Sequence, residues 1–198
     1  MSELVLYDRR FSGHCWKIRL MLGFLGLVYE RREIDILAGE SRTPDFLAIS
    51  PRGEIPVLAD GATLLWDSQA ILAYLARRHA PELLPLGPES LGQTLLWLSV
   101  AGSDMTRGVR AARAVLRFGL PGDLAAAQAV AQRTIGMIET RLAGRDWLVG
   151  EEATIADVAI YPYVVLAPEA GVSLDERPAI RAWIARFAAL PGYVSIEA

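Results

Sequence analysis

Residues 53–61 read GEIPVLADG. Val57, Leu58 and Ala59 have the apolar run of a short buried strand, and Asp60-Gly61 ends it as a turn. Pro56 stands at its head. Proline cannot donate to a sheet ladder, so it belongs on an edge, at a first residue or in a bulge. Two readings follow. In one, Pro56 simply starts the strand Ile55–Ala59. In the other, the Ile55–Pro56 peptide is cis and leaves the Ile55 backbone open to a peptide-like ligand.

The surrounding residues place this strand in an α/β unit. Leu4–Tyr7 (LVLY) is a short apolar run and reads as a buried strand. Ile18, Leu22 and Leu25 recur at helical spacing behind a Ser12 cap, and Gly26 ends that helix. Residues 28–36 (VYERREIDI) alternate as a second strand. Thr43-Pro44 opens a short helix, with Thr as cap and Pro at the first helical position. The strand Thr63–Trp66 completes a hairpin with the quoted segment. Asp67-Ser68 then caps a helix that carries Ile71, Leu72 and Leu75 on one face. The order β-α-β-α-β-β-α within about eighty residues predicts a thioredoxin-like α/β domain over 1–79.

The segment 79–90 (HAPELLPLGPES) holds three prolines and a glycine and reads as a linker over 80–90. Beyond it strand signals nearly vanish. Leu91, Leu95, Leu98, Met105, Val109, Ala112 and Leu116 mark one long amphipathic helix. Residues 121–144, 154–168 and 177–190 supply three more, so 91–198 reads as an all-helical C-terminal domain. Thr154 and Asp157 have capping-box spacing, with Asp in place of Glu or Gln.

The chain has 198 residues, a net charge of −3, 53% hydrophobic and 22% charged residues. That composition supports a real core, and the charge argues against nucleic acid as a main partner. No run of roughly 18 apolar residues predicts a membrane span, and the first ten residues lack a signal-peptide pattern. The one cysteine, Cys15, excludes an internal disulfide and fits a reducing compartment, the cytoplasm. Two histidines and one cysteine so far apart give no metal-ligand spacing.

Four stretches in order, SGHCWKIRL (12–20), GESRTPDFLAISPRGEIPVL (39–58), LLWDSQAILAYLA (64–76) and TIADVAIYPYV (154–164), resemble the cytosolic glutathione transferases, in their serine-type, bacterial-like form. The resemblance covers essentially the whole chain. It implies that Pro56 is cis and that the Ile55 backbone pairs with the cysteinyl part of glutathione, a peptide added to a strand edge. It implies Ser68 and the helix start behind it as the seat of the γ-glutamyl carboxylate, with Asp67 on the ammonium; the family usually has Glu there, one methylene longer. Arg42 falls where basic residues lie near the glycyl carboxylate, or is a plain surface arginine. Glu54 replaces the usual Gln or basic residue, and a carboxylate there repels the ligand's glycyl end.

Ser12 matches the family's catalytic serine, which hydrogen-bonds the glutathione sulfur and is not itself the nucleophile. Tyr7, ending the first strand, is the competing phenol donor. Cys15 does not match the cysteine-type position. His14 reaches toward the pocket without an assigned role. Phe11 and Met105 are the candidates for the electrophile site. Arg107, Arg110, Arg113 and Arg117 form a stripe, read as a solvated face or as a surface for an anionic co-substrate or second subunit. The implied activity is glutathione transfer to an electrophilic small molecule in detoxification, by a homodimer using glutathione as co-substrate and no metal. The alternatives are a glutathione-dependent disulfide or peroxide reductase and a non-catalytic regulatory binding protein.

Overall fold

A computed structural model describes residues 4–198. It divides into two compact units, the residues up to Ala80 together with Pro191–Ala198, and Pro81–Leu190. The first has the thioredoxin-like arrangement: β1 (Leu4–Asp8), α1 (Gly13–Phe24), β2 (Glu30–Glu33), α2 (Pro44–Ile49), β3 (Val57–Asp60), β4 (Thr63–Trp66) and α3 (Ser68–His79). The sheet order is β2-β1-β3-β4. β1 and β2 are parallel because α1 carries the chain back between them, whereas β1–β3 and β3–β4 are antiparallel.

Three local details differ from the sequence reading. β2 is confined to Glu30–Glu33, and Val28 before it stays largely exposed. β3 starts at Val57, since Pro56 has no N–H to give the ladder. The hairpin pairs Asp60 with Thr63, so its two turn residues are Gly61 and Ala62. Gly61, with φ +57, supplies the left-handed first position that a type II′ turn requires.

Helix α1 is buried from Cys15 to Leu22. Part of its cover comes from the far end of the chain. Trp16 Nε1 donates to Val194 O at 2.8 Å and Arg19 Nη2 to Ile196 O at 2.9 Å. At Gly23 and Gly192 the two backbones meet so closely that a Cβ on either would overlap the other's main chain. Hence Pro191–Ala198, placed with the helical domain from sequence, packs on the first unit.

The second unit comprises α4 (Pro88–Gly102), a π-helical turn (Thr106–Arg110), α5 (Ala111–Phe118), α6 (Leu124–Leu142), α7 (Ile155–Val165) and α8 (Pro178–Ala188). The linker is therefore shorter than expected, because Pro88 already opens α4 at the favoured first position. The long helix expected over 91–116 is interrupted. A π turn lies within it, and of the expected stripe Leu98, Met105, Val109 and Ala112 are buried, together with Trp97 and Ala101, while Leu95 and Leu116 face out. Gly108 lies in that turn against α6, where a Cβ would stand 2.8 Å from Ala131 N. The arginine stripe is not a uniformly solvated face: Arg113 is buried and pairs with Glu169 at 2.6 Å, whereas Arg107 is exposed beside Asp104. Among the described residues, no helix is long and apolar enough to cross a membrane.

Helix α7 is buried along nearly its whole length. Its start is fixed by the expected capping box between Thr154 and Asp157. Asp157 does more than cap. Its fully buried carboxylate accepts from Leu148 N and Trp183 Nε1 on one oxygen, and from Thr154 N on the other, each at 3.0 Å. Burial pushes its pKa up to about 6 against the pull of these donors. Around it Tyr161 stacks on Phe187 with ring centroids 3.9 Å apart.

Removing Thr154 Oγ1 in Thr154→Ala costs about 1 kcal/mol, the worth of a cap. Asp157→Ala strands three buried donors and costs roughly 3 kcal/mol or more. Urea unfolding of the two variants checks the ranking; equal losses would reduce Asp157 to a local cap. Gly108→Val forces the π turn and α6 apart and lowers the unfolding midpoint, whereas the same change at open Gly136 does not.

Candidate functional site

The turn between β1 and α1 is built on one buried carboxylate. Asp8 takes the Arg9 N–H at 2.7 Å, Arg19 at 3.0 Å and Arg31 at 2.6 Å. Two guanidinium groups and a backbone donor compensate its burial. The fixed turn lets Ser12 N–H donate to Arg9 O at 3.0 Å and leaves Ser12 extended at the head of α1. Ser12 Oγ accepts from Cys15 N–H at 3.3 Å, so it is the helix cap expected from sequence. The same hydroxyl also contacts the Cys15 thiol. A half-buried hydroxyl at a positive helix end is suited to holding an anion.

The neighbouring candidates differ in chemistry. Cys15 is fully buried. Burial pushes its thiol far up, the Asp8 charge adds to this, and the Ser12 contact only partly opposes it. It is a packing residue rather than a thiolate. Tyr7 packs edge-on against Phe46, and its hydroxyl accepts from Arg32 Nη1 of β2 at 3.2 Å. Phe11 is half-buried, with the Arg10 guanidinium 5.3 Å from its ring centroid. Met105 belongs to the helical unit and is fully buried.

The segment before β3 is held from within. Fully buried Ser50 donates its hydroxyl to Glu54 O at 2.8 Å and accepts from Glu54 N–H at 3.2 Å. Arg42 Nη1 donates to Arg52 O at 3.0 Å. Gly53, with φ +61, lies against Ser41 O and this guanidinium, where a Cβ would come within 2.7 Å of both. Arg42 thus braces the loop. The Glu54 carboxylate pairs with Arg52 at 3.0 Å, both exposed, which offsets the repulsion expected of it. The Ile55–Pro56 peptide is cis. Ile55 packs with Cys15, Phe46 and Val57, and neither its N–H nor its C=O enters a backbone hydrogen bond among the described residues. A free amide and carbonyl beside a strand start can receive a peptide.

At the head of α3, Asp67 has φ +90, a conformation that L residues rarely adopt. Its Oδ1 caps the helix by accepting from Gln69 N–H at 2.9 Å and Ala70 N–H at 3.1 Å. A strained non-glycine residue held by such bonds is typical of a binding site. Ser68 is buried and donates to Gln69 Oε1 at 2.5 Å. Beneath it lies Lys17 of α1, with Nζ 3.5 Å from Ser68 Oγ and 3.3 Å from His14 Nδ1. Burial pushes this ammonium from its ordinary 10.5 down to about 7, with the Asp67 charge pulling the other way.

The first turns of α1 therefore touch both halves of the candidate site. Cys15 lies in the Ile55 cluster, and His14 and Lys17 lie against Ser68. Ser12, Ile55 and Ser68 surround one helix start, which suits a ligand with a thiol, a peptide backbone and a carboxylate. Sequence reasoning missed Lys17 and the Asp8–Arg19–Arg31 group. The available signal was two cations, 17 and 19, in a helix otherwise apolar except for His14; set two apart, they cannot both reach one exposed face. Among the described residues, no group of three or more His, Cys, Asp or Glu could hold a metal ion.

Comparison with known proteins agrees with this arrangement. Residues 6–83 match the glutathione S-transferase N-terminal domain and residues 123–191 its C-terminal domain. Glutathione S-transferase 3 of Zea mays is 31% identical, over 98% of this chain and 92% of that protein. A crystal structure of glutathione S-transferase from Pseudomonas fluorescens superposes with a TM-score of 0.93 at 36% identity, over 98% of this chain and 99% of the other. A structure of Ure2p in complex with glutathione follows at a TM-score of 0.86 and 25% identity, over 96% of each chain. With this fold, both domain patterns and a relative at this identity along nearly its whole length, the chain belongs to the glutathione S-transferase family.

Proposed function

We propose that the chain is a glutathione transferase in which Ser12 holds the glutathione thiolate for attack on an electrophilic small molecule. The observation that carries this is the Ser12 hydroxyl, fixed as the cap at the start of α1 with Ile55 and Ser68 packed about the first turns of the same helix. Glutathione would lie with its cysteinyl backbone on Ile55, next to Pro56, and its γ-glutamyl carboxylate on Ser68. Asp67 would face its ammonium, and Arg42 and Glu54 flank the loop at its glycyl end. The thiol releases its proton to solvent. The sulfur lone pair then forms the new carbon–sulfur bond, and the electrophile's leaving group departs with the displaced electron pair.

A free thiol has a pKa of about 8.5, and each unit of lowering takes about 1.4 kcal/mol of preference for the thiolate. One charge-assisted hydrogen bond and the α1 dipole supply that scale of energy. Phe11 remains the candidate for the electrophile side, whereas Met105 is fully buried and offers a substrate no surface. We place the working enzyme as a homodimer in the cytoplasm. The Ure2p likeness keeps a second reading, a glutathione-binding regulator, worth testing alongside reductase activity.

Calorimetry near neutral pH tests the first step. Micromolar-to-millimolar glutathione binding with proton release is the expected result, and no binding at several millimolar would overturn the reading. Ser12→Ala is expected to lower turnover on an activated aryl halide by roughly a hundredfold, the usual loss on removing one such donor, while leaving glutathione affinity nearly unchanged. Unchanged turnover would move the thiol donor to Tyr7. A peroxide and disulfide panel on the wild type separates transfer from reduction.

A further inference from the structure

Helix α1 buries a lysine that the proposed chemistry does not use. Lys17 is fully buried, and its Nζ lies 3.5 Å from Ser68 Oγ and 3.3 Å from His14 Nδ1. Ser68 Oγ is also 3.5 Å from His14 Nδ1 and donates to Gln69 Oε1. A lysine that donates to Ser68 Oγ occupies one of its lone pairs and turns the hydroxyl proton away from itself, toward any acceptor at the start of α3. Asp67 is the charged group facing Lys17 from α3. On α1 the facing titratable group is His14, and Arg19, two residues on, is committed to Asp8 of β1. The carboxyl-terminal segment on the same helix offers backbone carbonyls to Trp16 and Arg19.

From this geometry we infer that Lys17 is a positioning residue for the γ-glutamyl carboxylate: it orients Ser68 and takes up a proton when that carboxylate arrives. The inference rests on the glutathione reading above and deepens it. Burial holds the free ammonium near the neutral range, at about 7. A carboxylate seated on Ser68 brings a negative charge close to Nζ and favours the charged form. The amine nitrogen then binds one proton from the buffer, with no other bond made or broken. By linkage, a ligand that raises proton affinity at Lys17 is itself bound more tightly when that proton is present. Affinity for the γ-glutamyl group therefore falls as pH rises through the neutral range, opposite in sign to the gain from ionising the thiol.

S-methylglutathione separates the two effects, because its sulfur carries no proton. Calorimetry at pH 7.5 in buffers of different ionisation enthalpy counts the protons exchanged. The wild type is expected to take up a large fraction of one proton and to lose affinity about five- to tenfold between pH 7 and 8.5. Lys17→Met is expected to abolish the uptake and flatten the profile, and His14→Gln is expected to retain both. Wild-type binding without proton uptake would overturn the role of Lys17 and leave the glutathione reading standing, and this measurement decides the matter even if Lys17→Met does not fold. Uptake lost in His14→Gln but kept in Lys17→Met would likewise overturn it by assigning the proton to the imidazole. No binding of either S-methylglutathione or glutathione at several millimolar would overturn both readings together.

Discussion

Helix α1 is buried along most of its length and yet carries two cations, Lys17 and Arg19. A buried charge is tolerated only when it is paired and hydrogen-bonded. Arg19 pairs with Asp8, which also takes the Arg9 N–H in the turn that leads to Ser12. Lys17 lies against His14 and Ser68, and that contact ties α1 to the start of α3. The two solutions point to opposite sides of the helix. One side carries Ser12 at the α1 start and the other carries Ser68 at the α3 start. The same constraint that lets the helix be buried therefore brings the parts of the site together.

The third part of the candidate site, the segment at Ile55 ahead of β3, has its own internal frame. Ser50 bonds both backbone groups of Glu54, and Gly53 admits the close passage of Ser41 and Arg42. These contacts leave the Ile55 amide and carbonyl outside any ladder, and Pro56 keeps the ladder from starting before Val57. A peptide ligand can satisfy such main-chain groups. In the helical unit, Asp157 does comparable work by joining the start of α7 to Leu148 and Trp183.

Much of this was legible in the sequence because it was local. Ser12, Thr43, Asp67 and Thr154 each announce a helix start by residue type, and each is a cap in the structure. Pro56 at a strand head and the Gly61 turn were readable for the same reason. What was not legible depended on residues distant in the chain. Lys17 looks like any helical lysine until Ser68, 51 positions later, covers it. The docking of Pro191–Ala198 depends on Trp16, Arg19 and the Gly23–Gly192 approach, and no period or cap encodes that. The π turn at Thr106–Arg110 escaped because an apolar stripe keeps nearly the same spacing on either side of an inserted residue. The partners of Arg42 and Glu54, Arg52 O and the Arg52 guanidinium, also lie beyond what residue type alone announces.

The most direct test of the account is a crystal structure of this chain with glutathione bound. The account predicts the ligand sulfur within about 3.5 Å of Ser12 Oγ, the cysteinyl amide and carbonyl paired with the Ile55 backbone, and the γ-glutamyl carboxylate on Ser68 above Lys17. A sulfur held by the Tyr7 hydroxyl, or a ligand seated away from the starts of α1 and α3, would contradict it.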